Sequence, residues 1–95
     1  MRKYELMYIL EPEMTAEEQT AVVDRYSELI TSMEGNVETT DRWEKKRLAY
    51  PIKDINEGYY VVVIFNGSNE LINEIDRQMG INESILRHMI IRQDN

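Results

Sequence analysis

Apolar and polar positions divide the chain into six segments. Between residues 3 and 10, Tyr4, Leu6, Tyr8 and Leu10 fall on one side of an extended chain and Glu5, Met7 and Ile9 on the other, which predicts a first strand ended by Pro12. The spacing then changes. Val22, Val23, Tyr26, Leu29, Ile30 and Met33 recur at steps of three and four, the stripe of a buried helix face. Thr15-Ala16-Glu17-Glu18 reads as a capping box that opens this helix, with two acids at its positive end. Gly35 is placed as its C-terminal cap. A long second strand is predicted over residues 36–52. Its alternation is imperfect and its middle is charged, so a bulge or a protruding hairpin arm is expected. Residues 53–58 read as the turn. Tyr59 to Phe65 is the strongest strand, apolar on both faces, as a central strand would be. Ser68 opens a second helix with the stripe Leu71, Ile72, Ile75 and Met79, and Gly80 is placed as its cap; residues 84–92 form the last strand.

The order strand, helix, strand, strand, helix, strand gives two split strand–helix–strand halves. The expected fold class is α+β: a ferredoxin-like βαββαβ arrangement, one domain over residues 1–95, with a four-stranded antiparallel sheet and both helices on one face. The expected strand order is four, one, three, two, which leaves strand two at an edge. Leu6, Leu29, Ile30, Val61, Val63 and Ile75 are the expected core. Tyr4, Tyr8, Tyr26 and Tyr59 also fall on inward faces. The opposite sheet face would carry Met7, Ile9, Tyr60, Val62 and Ile64, joined by Met89 and Ile91, with no helix over them. A contiguous apolar patch of this kind points to a partner, or to a second copy of the chain.

Charge changes this picture. The chain has a net charge of −7, which by itself argues against nucleic acid. The charge is uneven, however. Residues 11–34 carry −6 and residues 67–83 carry −3, while the rest of the chain carries +2. The helix layer is therefore strongly acidic and the rest of the chain is mildly basic. Lys45-Lys46-Arg47 stand together just before the apolar run Leu48-Ala49-Tyr50-Pro51-Ile52. Three adjacent cations repel one another and gain nothing from a core, so this element is a candidate for meeting an anion, with RNA phosphate the leading choice. The plainer reading is that these charges keep an edge strand soluble. Asp41, Arg42 and Glu44 extend that charged edge.

Little else in the chain carries chemistry. There is no cysteine, so disulfides and thiolate metal sites are excluded and a cytoplasmic setting is compatible. No run reaches the roughly 18 apolar residues of a membrane span, and no apolar signal region follows the first residues. His88, the single histidine, has Arg87 and Arg92 nearby, which would oppose a bound cation. It reads as a structural or RNA-facing group rather than a metal ligand. The four glycines are scattered and form no phosphate loop. No catalytic residue, metal site, cofactor or small-molecule substrate is expected. Tyr60 could stack on a base, but the Gly/aromatic signature of RNA-recognition domains is missing, so phosphate and shape contacts are the expected mode.

Met1-Arg2-Lys3-Tyr4-Glu5, Lys46-Arg47-Leu48-Ala49-Tyr50-Pro51-Ile52, Gly58-Tyr59 and Ile85-Leu86-Arg87-His88-Met89-Ile90-Ile91 resemble the bacterial small-ribosomal-subunit protein six family over essentially the whole chain. The Arg47–Ile52 stretch is the distinctive piece. The resemblance implies a ferredoxin-like fold and a structural, non-enzymatic role on the cytoplasmic ribosome. It implies binding to the central domain of small-subunit ribosomal RNA and a heterodimer with small-subunit protein eighteen. It also implies that Arg2, Lys3, Lys45, Lys46, Arg47 and Arg87 are RNA- or partner-facing groups; the charged edge adds Arg42 to these, and the alternation of the open sheet face makes Met7, Ile9, Tyr60, Val62 and Ile64 its candidate partner-binding residues. The competing class is a small ferredoxin-like homo-oligomer that binds a metabolite between its sheets. That reading needs a polar pocket and a ligand-fixing constellation, and the sequence shows neither.

Overall fold

The structure is a computed structural model that describes the backbone of residues 2–52 and 55–93 and the side chains of residues 2–42 and 58–93. Its elements follow the expected order: β1 (Arg2–Leu10), α1 (Ala16–Ser32), β2 (Asn36–Ile52), β3 (Ile55–Gly67), α2 (Asn69–Ile81) and β4 (Ile85–Arg92). The four strands make one sheet in the order β2-β3-β1-β4, as expected from two split halves. Every neighbouring pair is antiparallel.

The alternation in β1 translates directly into burial. Tyr4, Leu6, Tyr8 and Leu10 all face the helices and are buried. In register with them, Phe65, Val63 and Val61 of β3 fill the same layer. The rings of Tyr4 and Phe65 stack with centroids 5.8 Å apart, and those of Tyr8 and Tyr26 meet at a tilt, 5.9 Å apart. Val23, Tyr26 and Ile30 come down from α1, and Leu71, Ile75 and Met79 from α2. Leu29 departs from expectation. It is only half-buried, because the centre of the α1 stripe runs through Gln19, Val23, Tyr26 and Ile30. Gln19, a residue the hydrophobic pattern passes over, is buried there and donates from Nε2 to the Met14 carbonyl oxygen at 3.2 Å. The Tyr8 hydroxyl is buried without a hydrogen-bond partner among the described residues. Burial and the neighbouring Tyr26 push its pKa well above the usual phenol range.

The helix starts match the sequence and the helix ends do not. The Thr15 hydroxyl accepts from the Glu18 amide at 3.1 Å, and the Glu18 carboxylate accepts from the Thr15 amide at 2.8 Å. The Ser68 hydroxyl accepts from the Leu71 amide at 3.3 Å. At the other end of α1 the left-handed residue is Glu34, with φ of 66°, and the cap is Met33. The Gly35 amide donates to the Ile30 carbonyl and the Glu34 amide to the Thr31 carbonyl, the paired bonds of a Schellman motif. Gly35 is there for space instead. A Cβ on it would lie 2.8 Å from the Asn66 carbonyl oxygen and 2.9 Å from that of Ile30. Gly80 is no cap either: α2 runs past it to Ile81, and a Cβ there would meet nothing within 4 Å.

The long second strand is irregular as expected. Its pairing with β3 shifts between Val37 and Thr39, between Trp43 and Lys46, and between Arg47 and Ile52. The β1–β3 ladder ends at Leu10 opposite Tyr59, but β2 and β3 stay paired as far as Ile52 opposite Ile55. The β2–β3 hairpin therefore projects beyond the rest of the sheet as an arm. β3 already begins at Ile55, inside the expected turn over residues 53–58, and residues 53–54 lie outside the described residues.

These assignments separate neighbouring positions experimentally. Ile30→Ala should cost about 2–5 kcal/mol, and Leu29→Ala clearly less. Gly80→Ala should stabilise the protein by about 0.5–1 kcal/mol, whereas Gly35→Ala should destabilise it by about 1–3 kcal/mol. Urea unfolding midpoints measure all four. Equal destabilisation at residues 29 and 30 would show that the helix face is misassigned.

Candidate nucleic-acid interface

Both helices cover the same side of the sheet, so the other side is open. Register places Asp41, Val62, Met7 and Met89 in one row across all four strands, and Thr39, Ile64, Glu5 and Ile91 in the next. Met7, Tyr60, Val62, Ile64 and Met89 are half-buried, and Ile91 is exposed. These residues form the expected apolar strip. Ile9 belongs to the same face but is 3% exposed. Its side chain takes the space over Gly58, where an added Cβ would come within 2.6 Å of the Ile9 Cγ2. Ile9 therefore packs within the sheet rather than standing out from it.

Polar groups border this strip. At one end, the Lys3 Nζ lies 3.1 Å from Oε1 of Glu38, and the Asn66 side-chain amide donates to Oε2 of Glu38 at 2.6 Å. Glu38 is the extra residue of the first irregularity in β2, between Val37 opposite Phe65 and Thr39 opposite Ile64. Such an insertion re-aims a side chain. Here it sends the carboxylate across β3 to Lys3 on β1. The hydrogen bond from Asn66, then that from Lys3, lowers the Glu38 pKa from its ordinary value of 4.5. Beside this corner Gln93 donates to Glu5 at 2.7 Å. Toward the other end, Arg87 lies opposite Ile9.

The sequence-predicted cations do not all share this face. Lys3 and Arg87 do. Arg2 is exposed at the start of β1, opposite Gly67 and in step with the helix-facing residues. Arg42 pairs with Val61, a helix-facing position, and donates to the Thr20 hydroxyl of α1 at 3.0 Å. It thus ties the edge strand to a helix. The backbone of Lys46 and Arg47 lies in the projecting arm, opposite Gly58 and Glu57; the side chains of Lys45, Lys46 and Arg47 lie outside the described residues. His88 has a structural position. Its Nε2 sits 2.7 Å from Oδ1 of Asp76, bridging β4 and α2 on the helix side. Sequence reasoning missed Glu38 and Asn66. Nothing local marks them, because their partnership spans 28 residues.

No group of three or more metal-ligating side chains occurs among the described residues, and no helix is long and apolar enough to cross a membrane. Comparison with known proteins gives a consistent answer. The profile of ribosomal protein S6 matches residues 3–92. The chain belongs to the ribosomal protein S6 family. It is 46% identical over 94 residues to small ribosomal subunit protein bS6 of Desulforudis audaxviator, covering 99% of this chain and all of that one. The bS6 protein of Carboxydothermus hydrogenoformans is 44% identical, over 99% and 98% of the two chains. The crystal structure of 30S ribosomal protein S6 from Thermotoga maritima superimposes with a TM-score of 0.90 at 29% identity, covering 97% of this chain and 87% of that one. As an S6-family protein the chain is a structural, non-enzymatic component of the small ribosomal subunit, which is cytoplasmic in bacteria. The metabolite-binding alternative is set aside on that ground.

The Glu38 corner can be checked directly. A lowered carboxylate pKa means the pairing is complete above the ordinary glutamate range and disappears as pH falls through the lowered value. In a carboxyl-detected NMR titration Glu38 should titrate below 4.5. Asn66→Ala and Lys3→Gln should each raise that value. A Glu38 midpoint unchanged by both variants would refute the assigned pairing.

Proposed function

We propose that this chain binds the central domain of small-subunit ribosomal RNA as a heterodimer with small-subunit ribosomal protein eighteen. The observation that carries the reading is the open sheet face. It has a half-exposed apolar strip between polar and charged margins, which is the anatomy of a protein interface. Met7, Tyr60, Val62 and Ile64 would meet the partner. The arm bearing Lys45, Lys46 and Arg47, with Lys3, Arg2 and Arg87, would meet RNA phosphate or acids of the partner. Arg42, held by Thr20 on the helix side, would contribute least.

Charge supports the need for a partner. A chain of net −7 is repelled by RNA at long range, and a basic partner offsets that repulsion. In a filter-binding titration the isolated chain should bind a central-domain RNA fragment weakly and the heterodimer tightly. Equal affinity with and without the partner would refute the reading.

The arm gives a second test. Replacing Lys45, Lys46 and Arg47 together by glutamine should leave folding nearly unchanged, by about 0.5 kcal/mol or less per site for surface positions. If these residues touch phosphate, the slope of log affinity against log salt should become shallower by up to about 0.9 for each phosphate no longer neutralised. If they meet only the partner, heterodimer affinity should fall with the RNA slope unchanged. Should neither quantity move, the cluster is only an edge guard.

A further inference from the structure

An exposed ion pair ordinarily contributes little to stability. The Lys3–Glu38 pair is exposed, with side chains 44% and 34% accessible, yet it is built with some care. A strand irregularity delivers the carboxylate, and donors from two other strands, directly opposite one another in register, converge on its two oxygens. A cation and an amide aimed at the two oxygens of one anion also match the two non-bridging oxygens of a phosphodiester. The location matters as well. This corner lies at the margin of the open face assigned above to RNA and partner, and it holds one of the two cations placed on that face.

We propose that Lys3 and Asn66 form a phosphodiester subsite which the protein's own Glu38 carboxylate occupies until RNA displaces it. The inference rests on the RNA-binding reading and goes beyond it by assigning Glu38 a role. With Glu38 in place, Lys3 is neutralised and the corner attracts no stray polyanion. An RNA strand held elsewhere on the face brings its phosphate to the corner at high local concentration and competes the carboxylate away. A loosely held polyanion does not. Glu38 thereby raises selectivity at some cost in affinity. Three neighbouring groups bear on the exchange. Glu5 is held by Gln93, the Gln93 amide donates to the Lys3 carbonyl at 2.8 Å, and Asn36 stands opposite Asn66 on the outer side.

The test uses a duplex RNA of unrelated sequence, at low salt, with fluorescence anisotropy as the readout. Glu38→Gln should bind this duplex roughly two- to tenfold more tightly than wild type, with a salt slope steeper by up to about 0.9. The double variant Glu38→Gln with Lys3→Gln should lack that gain. Glu38→Ala is the second variant, needed if the glutamine form folds poorly, and should behave alike. Unchanged duplex binding in the Glu38 variants would overturn the proposal. So would a gain that persists without Lys3, or an equal gain from Glu28→Gln, an exposed acid of α1 away from the corner, since that equality reflects only the removal of a negative charge. The central-domain fragment titrated with partner and wild-type chain is the separate arm. Failure there refutes the RNA reading, while failure of the Glu38 effect alone refutes only the self-occupied subsite.

Discussion

The antiparallel pairing of β1 with β3 is the constraint on which the rest of this structure depends. Along their shared ladder, from Tyr4 opposite Phe65 to Leu10 opposite Tyr59, both strands also have another strand on their far side, so their side chains must settle on two faces. Tyr4, Leu6 and Tyr8 against Phe65, Val63 and Val61 make one face a floor for the two helices. The same pleat then dictates that Met7, Val62, Ile64 and Tyr60 point the other way, where no helix remains to cover them. A slip of one residue would exchange the two sets. Core and docking face are thus fixed by one register.

Much of this was legible in the sequence because it is local. Thr15 and Glu18 sit three residues apart, and their reciprocal bonds follow from that spacing. The period of two in β1 separates its faces without knowledge of any neighbour. Element order then restricts the sheet to few topologies, and the observed order is the expected one. What the sequence concealed depends on approach between distant segments. Gly35 and Gly80 look alike as residues that end a helix. One is demanded by the Asn66 and Ile30 carbonyls pressing on it, and the other is a helix-interior residue facing open space. Leu29 and Ile30 are both apolar, and only the lie of α1 on the sheet decides which goes under.

The site divides in the same way. Sequence located the charged strand and the apolar face, since clustering and alternation are visible in one dimension. It could not separate Arg42, which turns toward Thr20, from Lys3, which faces the open side. Nor could it find Glu38, whose direction is set by an irregularity in β2. An acid in a strand of mixed charge carries no mark of which cation it will meet.

The one-sided helix layer has a further consequence. Helices α1 and α2 carry −3 and −2 and lie on one side of a sheet whose strands together carry +3, so the centres of negative and positive charge do not coincide. The molecule is an electric dipole as well as an anion. Near a polyanion the net force pushes it away, but the torque turns its sheet toward the source and its helices outward. That torque acts over roughly one screening length, about 8–10 Å at physiological salt. Within that distance an approaching molecule is already oriented with its helices facing the solvent. The acidity that weakens its approach therefore also selects the angle at which it arrives.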